Sequence, residues 1–240
     1  MRELINDPAT RRETGEFVCD GLKLLKEAVT AGLRITTVLC AEERQLPELP
    51  ETAKVYSVPR ELLSYVSPLK NSPGPVFALA KPEIPIPETG GILVLDGVQD
   101  PGNVGTVIRT AEALGAGAVI LVNACADPFG PKTARATMGS IFRQCVAEMT
   151  VPELKDLLTR RGLKLYGAAL THDSVDIRDA VFTDAACAVG SEGRGLSAEL
   201  LDMCDRKMII PMTGRAESLN AAVAASVILW EMFRRNSGGM

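Results

Sequence analysis

Histidine is nearly missing from this 240-residue sequence, which contains His172 alone. A Ser-His-Asp triad, a histidine-rich metal site and a HExxH helix all need imidazoles in other numbers or positions. The six cysteines are scattered, with no two at the CxxC spacing that is typical of zinc ribbons and redox pairs. The sequence also lacks the GxSxG nucleophile turn. Serine hydrolysis, thiol redox chemistry and bound metal ions are therefore disfavoured.

Aromatic residues are scarce at 4%, and long hydrophobic runs are missing. The first fifteen residues are polar and lack the apolar stretch of a secretion signal. The apolar run at 221–230 is too short to span a bilayer. Because 46% of the residues are hydrophobic, an aliphatic core of ordinary size is still possible. We therefore expect a cytoplasmic protein that makes no contact with a membrane.

Positive charge is also in short supply, since the net charge is −4 and the pI is about 5.3. Nucleic-acid-binding proteins usually show a basic balance. Local distribution matters more than the total, however, and residues 130–143 contain two arginines and a lysine but no acid. This segment is either a docking site for an anionic partner or an ordinary solvated basic face.

A Pro- and Gly-rich stretch at 82–91 is typical of a linker. It separates a small α/β domain at residues 1–81 from a larger domain at residues 92–240. Periodicity predicts helices at 16–31 and 60–66, and strands at 35–40, 55–58 and 76–80, in the first domain. In the second domain, it predicts strands at 92–96, 118–122, 164–170, 185–189 and 207–210, alternating with helices at 104–114, 152–161, 197–204 and 219–235. Such alternation indicates an open, mostly parallel sheet of the α/β class.

Ligands of open parallel sheets bind at the carboxyl ends of the strands, and three loops there carry suitable residues. The first loop, 96–117, contains Asn103 at a plausible helix N-cap and Arg109 early in the following helix. That arginine either reaches an anionic ligand or forms a weak surface pair with Glu112. The second loop, 188–197, has glycines in a GxxGxG pattern, the reverse of the dinucleotide fingerprint. Glu192 at its centre would repel a pyrophosphate and favours a cationic ligand such as a sulfonium.

The third segment, 209–233, runs from an apolar strand end through a Pro-Met-Thr-Gly turn into the last helix. Ser218 is a candidate cap for that helix. The helix is apolar on nearly every side, so it needs cover on two faces. Because chain ends usually lie at the surface, a second copy of the chain is the expected cover. The sequence therefore predicts a homodimer that forms through the C-terminal helix.

Three segments, DGVQDPGNVGTVIRTA, VGSEGRGLS and IIPMTGRAESLNAAVAAS, together resemble the signature motifs of the SpoU (TrmH-like) branch of the SPOUT methyltransferases. Their order and their position at the end of the chain also match, and the similarity extends over about 92–236. The stretch GPKTARATMGSIFR resembles the family's basic segment. The first 80 residues, including FVCDGLKLLKEAV, look like the family's small ribosomal-protein-like substrate domain.

The resemblance implies a parallel sheet whose C-terminal segment threads a trefoil knot, an S-adenosylmethionine site and a dimer formed by the last helix. It implies 2′-O-methylation of a ribose in structured ribosomal or transfer RNA. The implied cofactor contacts are Gly190, Ile210, Met212, Ser218 and Leu219. The implied RNA contacts are Lys132, Arg135 and Arg143, with Arg11 and Arg12 as additional candidates.

The resemblance implies Arg109 as a catalytic residue, and we add Asn103, Glu192 and Asn220 as further candidates. We assign Arg109 an electrostatic role, because a guanidinium barely deprotonates in proteins. It would bind the phosphate beside the target ribose and stabilise the emerging oxyanion, which requires it to face the cofactor. Glu192 would accept a proton or position a water, while the two asparagines would orient their neighbours.

Two other classes of protein stay open at this stage. A nucleotide-dependent oxidoreductase would use a doubly wound sheet, but the glycine spacing is reversed and the acidic ribose partner is missing. A non-catalytic RNA-binding protein could retain the same fold, although it would not need the combination of Arg109, Glu192 and Asn220. Binding of NAD or S-adenosylmethionine distinguishes the first alternative, and methyl transfer distinguishes the second.

Overall fold

The computed structural model describes residues 1–41, 45–69, 72, 74–183, 185–213 and 218–236. For residue 236, it describes the backbone alone. The chain divides into two compact units. The first contains Met1–Glu83 and Asp127–Arg143, and the second contains Ile84–Ala126 and Gln144–Met240. The basic segment 130–143 therefore belongs to the first unit, although it lies far along the chain. The domain boundaries at residues 81 and 91 stay a prediction.

Helices and strands alternate along most of the described chain. The strands are β1 (Glu16–Asp20), β2 (Ile35–Cys40), β3 (Lys54–Ser57), β4 (Val76–Ala80), β5 (Ile92–Asp96), β6 (Ala118–Val122), β7 (Cys145–Glu148), β8 (Lys164–Ala168), β9 (Val175–Asp176), β10 (Ala185–Gly190) and β11 (Arg206–Ile209). The helices are α1 (Arg2–Asn6), α2 (Pro8–Thr14), α3 (Leu22–Thr30), α4 (Arg60–Val66), α5 (Pro101–Ala113), α6 (Pro131–Ala136), α7 (Val151–Arg161), α8 (Ala198–Met203) and α9 (Ala221–Asn236). The predicted α/β class is confirmed.

In its described residues, the first unit contains a four-stranded sheet in the order β1-β4-β2-β3. The predicted helix at 16–31 is wrong in its first five residues, which form β1. This strand pairs antiparallel with β4, and its register places Phe17 opposite Leu79. Aromatic and β-branched residues favour a strand there. Gly21, with φ of +116°, then turns the chain into α3.

Arg11 is buried, with 4% of its surface exposed, so the prediction that it contacts RNA is wrong. Its Nε donates a hydrogen bond to Asp127 Oδ2 at 2.8 Å. Its Nη1 donates to the carbonyl oxygens of Leu4 and Ile5 at 2.5 and 3.2 Å. A buried guanidinium requires such a set of partners, because an unpaired buried charge is strongly destabilising. Arg12 is exposed and stays a candidate for RNA contact.

The second unit, in its described residues, is built on a seven-stranded sheet in the order β7-β6-β5-β10-β8-β11-β9. Its recorded strand pairs are all parallel. The central strands β5, β6 and β10 are buried along their whole length, as expected when helices cover both faces. This arrangement confirms the predicted parallel sheet, while β7 and β9 were not predicted. The trefoil knot stays a prediction from the family resemblance.

Helix α5 begins three residues earlier than predicted, because Asp100 caps it. The Asp100 carboxylate accepts a hydrogen bond from Asn103 N at 2.8 Å, and Pro101 occupies the first helical position. The prediction that Asn103 caps this helix is therefore wrong. Its side chain is left free to make contacts outside the helix. Across the described ranges, none of the helices has the length and apolar character needed to cross a membrane.

Candidate active site

A cavity of about 890 Å³ opens at the carboxyl ends of β8, β10 and β11. This volume is in the range of pockets that hold nucleoside-sized ligands. Most of its lining is apolar or backbone. The lining residues are 168–170, 189–192, 195, 208–212, 218, 219, 221 and 224. The cavity therefore lies where a parallel sheet is expected to bind its ligand.

All of the residues predicted to contact the cofactor line this cavity, namely Gly190, Ile210, Met212, Ser218 and Leu219. Their contact with a cofactor stays a prediction. Residues 168–170, at the carboxyl end of β8, also line the cavity but are not among the predicted contacts. The sequence contained a signal for them, because they end an apolar strand of the predicted parallel sheet. Residues at such a strand end lie at the edge of the sheet where ligands bind.

The turn 191–197, which follows β10, folds back tightly on the strand that precedes it. Gly195 N donates to Ser191 O at 2.8 Å, closing the turn. A Cβ atom at Gly190 would overlap the backbone of Gly195 and the amide nitrogen of Leu196. Gly195 itself has φ of +66°, in the left-handed region that favours glycine. The cavity wall therefore requires glycine at position 190.

Three of the predicted catalytic residues meet at the wall of the cavity, although they come from separate segments. Asn103 Nδ2 and Asn220 Nδ2 both donate to Glu192 Oε1, the latter at 2.9 Å. Asn220 Nδ2 also donates a hydrogen bond to Asn103 Oδ1, at 3.1 Å. Since Glu192 lines the cavity, its negative charge is held beside any bound ligand.

Asn220 also caps the last helix, the role for which Ser218 was a candidate. Its Oδ1 accepts hydrogen bonds from Ala222 N at 3.0 Å and from Val223 N at 3.3 Å. These amides lie in the first turn of α9, where helix geometry leaves N–H groups without an internal partner. The same side chain therefore fixes the start of α9 and binds Glu192.

Arg109 is not brought to this cluster within a single chain. It is exposed on α5 and is not among the described residues that line the cavity. The helix explains this separation, since six residues beyond Asn103 correspond to roughly 120° of rotation and about 9 Å of rise. The expectation that Arg109 faces the cavity of its own chain is not met, and its catalytic role stays a prediction.

The predicted RNA contacts all lie in the first unit. Lys132 and Arg135 are exposed on α6. Arg143 forms an ion pair with Glu27 at 2.9 Å, which offsets part of its charge. The two exposed cations on α6 are therefore better suited to bind a phosphate than Arg143 is.

The thiols of the second unit are not poised for nucleophilic chemistry. Burial raises the pKa of Cys125 to about 11 and the pKa of Cys204 to about 11. Burial also raises the pKa of Cys187. These groups are therefore protonated at neutral pH, when thiol nucleophiles need to be ionised. Within the described ranges, no group of three His, Cys, Asp or Glu side chains is placed to hold a metal ion.

Known protein families match both parts of the chain. The SpoU rRNA Methylase family matches residues 91–230. The MRM3-like substrate binding domain matches residues 2–78. The segments that supply the cavity and the Glu192 cluster all lie within the first of these matches.

Two relatives named for their activities are similar to nearly the whole chain. The chain is 34% identical to the 23S rRNA (guanosine(2553)-2′-O)-methyltransferase RlmP of Bacillus subtilis, across 92% of this chain and 90% of that protein. It is 31% identical to the 23S rRNA (uridine(2479)-2′-O)-methyltransferase of Streptomyces viridochromogenes, across 98% of this chain and 88% of that protein.

Solved structures with bound S-adenosylmethionine (AdoMet) share the fold. The SpoU methyltransferase AviRb from Streptomyces viridochromogenes, in complex with AdoMet, has a TM-score of 0.89 at 30% identity, covering 100% of this chain and 97% of that chain. The AdoMet-bound rRNA methyltransferase from Sinorhizobium meliloti has a TM-score of 0.84 at 31% identity, covering 98% of this chain and 92% of that chain.

Replacement of Gly190 by alanine is expected to weaken S-adenosylmethionine binding by at least about tenfold, because rigid backbone atoms occupy the position of the new Cβ. Gly193→Ala is the matched control, since a Cβ there meets no atom within 4 Å. Isothermal titration calorimetry of both variants measures the difference. Equal affinities would contradict the assignment of this turn to the cofactor site.

Proposed function

Because the chain belongs to the SpoU rRNA methylase family, we propose that it transfers a methyl group from S-adenosylmethionine to a ribose 2′-hydroxyl of structured ribosomal or transfer RNA. The observation that carries this proposal is the meeting of Asn103, Glu192 and Asn220 at the wall of a nucleoside-sized cavity. We also propose that the protein acts in the cytoplasm, since relatives to which it is similar are named as 23S rRNA methyltransferases. The direct test is transfer of labelled methyl groups to RNA from cells that lack the protein, followed by mapping of the 2′-O-methyl position.

The cavity suits S-adenosylmethionine in its shape and in the chemistry of its lining. Ile210, Met212 and Leu219 offer apolar surface for the adenosine and for the methionine chain, while Gly190 offers close backbone contact. Glu192 places negative charge at the wall, where a sulfonium is attracted rather than repelled. The bound cofactor supplies an electrophilic methyl carbon on a positively charged sulfur.

The target hydroxyl must lose its proton as its oxygen attacks, and it is a poor nucleophile until that charge is stabilised. We assign proton acceptance, or the positioning of a water that accepts it, to Glu192. Both asparagine amides donate to its Oε1, so Oε2 is the oxygen that takes this role. Asn103 and Asn220 orient the carboxylate.

Arg109 acts by charge, binding the phosphate next to the target ribose and stabilising the developing oxyanion. A neutral guanidine is too scarce at neutral pH to serve as a base. Because Arg109 lies outside the cavity of its own chain, a second chain is needed to bring the guanidinium and a cofactor together.

The exposed face of α9 is the surface on which a second copy would pack. Val223 and Trp230, one heptad apart on this helix, are 48% and 51% exposed. They line a shallow cleft of about 440 Å³ together with residues of α5. Apolar side chains in such a stripe are typical of helix pairing between subunits. A partner seated on α9 would also lie beside α5, the helix that carries Arg109.

RNA docks on the first unit, in which residues 2–78 match a substrate binding domain. Lys132 and Arg135 are the cations that we assign to the RNA backbone. Because the chain as a whole is acidic, RNA affinity depends on this local patch and weakens steeply as salt is added.

Arg109→Ala is expected to lower the turnover number by about 100-fold or more, as is typical when one charge-stabilising group is removed, while S-adenosylmethionine affinity stays unchanged. Arg160→Ala, an exposed arginine on α7 outside the cavity lining, is the matched control. Single-turnover methylation and calorimetry measure the two quantities. Undiminished turnover in the Arg109 variant would refute the assigned role.

Val223→Glu is expected to convert the dimer to monomer, because a carboxylate would have to be buried in an apolar contact. Sedimentation velocity measures the change, with Val181→Glu as a control at a valine that is 60% exposed outside α9.

Mixing Arg109→Ala chains with Glu192→Gln chains should restore part of the activity if each site uses both subunits. A monomeric parent protein would overturn the dimer proposal.

Neutralising Lys132 and Arg135 together, as Lys132→Gln with Arg135→Gln, is expected to weaken RNA binding and to lower the salt slope of log K by about 1.4 to 1.8, for two lost phosphate contacts. Filter binding across a salt series measures both effects. Lys155→Gln with Arg160→Gln, on exposed positions of α7, removes the same charge elsewhere. RNA affinity that falls equally in the two double variants would argue against a specific patch.

A further inference from the structure

We propose that Asp96 is a positioning residue whose buried carboxylate fixes the far end of the turn 191–197. This turn carries Glu192 and forms one wall of the cavity. The inference deepens the proposed function and rests on it for the identity of the bound cofactor. Asp96 itself is not among the described residues that line the cavity, so it acts through the turn and not on the ligand.

Asp96 is a charged residue in a buried position, which is unusual unless its carboxylate has hydrogen-bond partners. It is the last residue of β5, with 3% of its surface exposed. Burial of a carboxylate is costly unless hydrogen bonds replace the lost water. The strand register sets Asp96 between Gly190 of β10 and Val122 of β6. Its carboxylate therefore lies at the edge of the sheet where the turn 191–197 begins.

Both carboxylate oxygens of Asp96 receive donors from loops that leave neighbouring strands. Oδ2 accepts a hydrogen bond from Ser197 N at 2.6 Å. Oδ1 accepts one from Asn123 Nδ2 at 2.8 Å. Asn123 has φ of +54°, a left-handed backbone that asparagine tolerates better than most residues. The two donors point at one carboxylate, and an amide side chain in its place could serve only one of them.

These contacts hold the turn 191–197 at both ends. At the start of the turn, Gly190 ends β10, which pairs with β5, the strand of Asp96. At the end of the turn, the backbone N–H of Ser197 donates a hydrogen bond to the Asp96 carboxylate. Ser197 then caps α8 through its hydroxyl, which accepts from Leu200 N at 3.3 Å. Glu192 lies within the segment that is fixed in this way. Its approach to Asn103 and Asn220 therefore depends on an acid that touches none of the reacting groups.

The primary experiment compares Asp96→Asn with the exchange variant Asp96→Asn plus Asn123→Asp. The single variant leaves one buried N–H facing an amide N–H, and we expect S-adenosylmethionine affinity to fall by about tenfold. In the exchange variant, the amide oxygen at position 96 accepts from Ser197 N, and the amide N–H donates to the carboxylate introduced at position 123. We therefore expect the exchange to recover most of the affinity, a rescue that a loss of general stability would not produce.

A second pair of variants isolates the Ser197 amide and does not depend on the folding of the Asp96 variants. Ser197 has φ of −62°, which proline also adopts. Ser197→Ala keeps the backbone N–H that donates to Asp96, whereas Ser197→Pro removes it. Both variants lose the hydroxyl that caps α8, so they differ in the N–H. We expect the proline variant to bind S-adenosylmethionine several-fold more weakly than the alanine variant. Equal affinities in these two variants would overturn the proposal.

Limited trypsin digestion gives a readout that needs no cofactor, because Arg194 is exposed within the turn. We expect faster cleavage after Arg194 in Asp96→Asn and a return to the parent rate in the exchange variant. Altered cleavage in a protein that does not bind S-adenosylmethionine would support the Asp96 contact and defeat the proposed function. Unchanged cleavage and unchanged affinity in Asp96→Asn would overturn this inference alone and leave the proposed function intact.

Discussion

The candidate site depends on one carboxylate oxygen, Glu192 Oε1, which accepts hydrogen bonds from two asparagine side chains. The three residues come from segments that follow different strands, and they meet because parallel strands end at the same edge of the sheet. A shared acceptor is satisfied only when all three segments are in place. The cluster therefore exists only in the folded second unit, and a displacement of any segment changes the position of the charge at the cavity wall.

The parts of the fold that were predictable are those where burial is uniform. β5 and β6 have the predicted bounds, because a strand covered on both faces is a continuous apolar run with polar or glycine residues at its ends. The turn after β10 could be located from its glycines and from Glu192, since both are chemically distinctive. Ile210, Met212 and Leu219 entered only through the family resemblance, because apolar side chains in a cavity cannot be distinguished from core residues by pattern.

Most of the wrong predictions share a physical cause, which is that local sequence does not show distant partners. The helix cap is the exception, because Asp100 and Asn103 are both good capping residues and the adjacent Pro101, as the first helical residue, is a local signal that favours Asp100. Arg11 is expected at the surface because arginine is usually exposed. It is buried because it pairs with Asp127, which lies 116 positions away in the sequence. The helix predicted at 16–31 includes the residues of β1 because this strand pairs with β4, a partner that is also distant in the sequence. Arg109 differs from these cases, since its catalytic role stays a prediction and its proposed partner site belongs to a second chain.

Two acids of the second unit, Glu192 and Asp96, have separate roles that one acid could not combine. In the proposed reaction, Glu192 must stay accessible to the ligand. An exposed carboxylate on a glycine-rich turn is not held rigidly, and water screens its charge. The amides of Asn103 and Asn220 restrain its side chain, but they cannot restrain the backbone that carries it. Asp96 supplies that restraint from a buried position, where its hydrogen bonds are stronger than in water. An electrostatic site needs groups that are oriented before the reaction begins, and the buried acid provides this orientation for the exposed one.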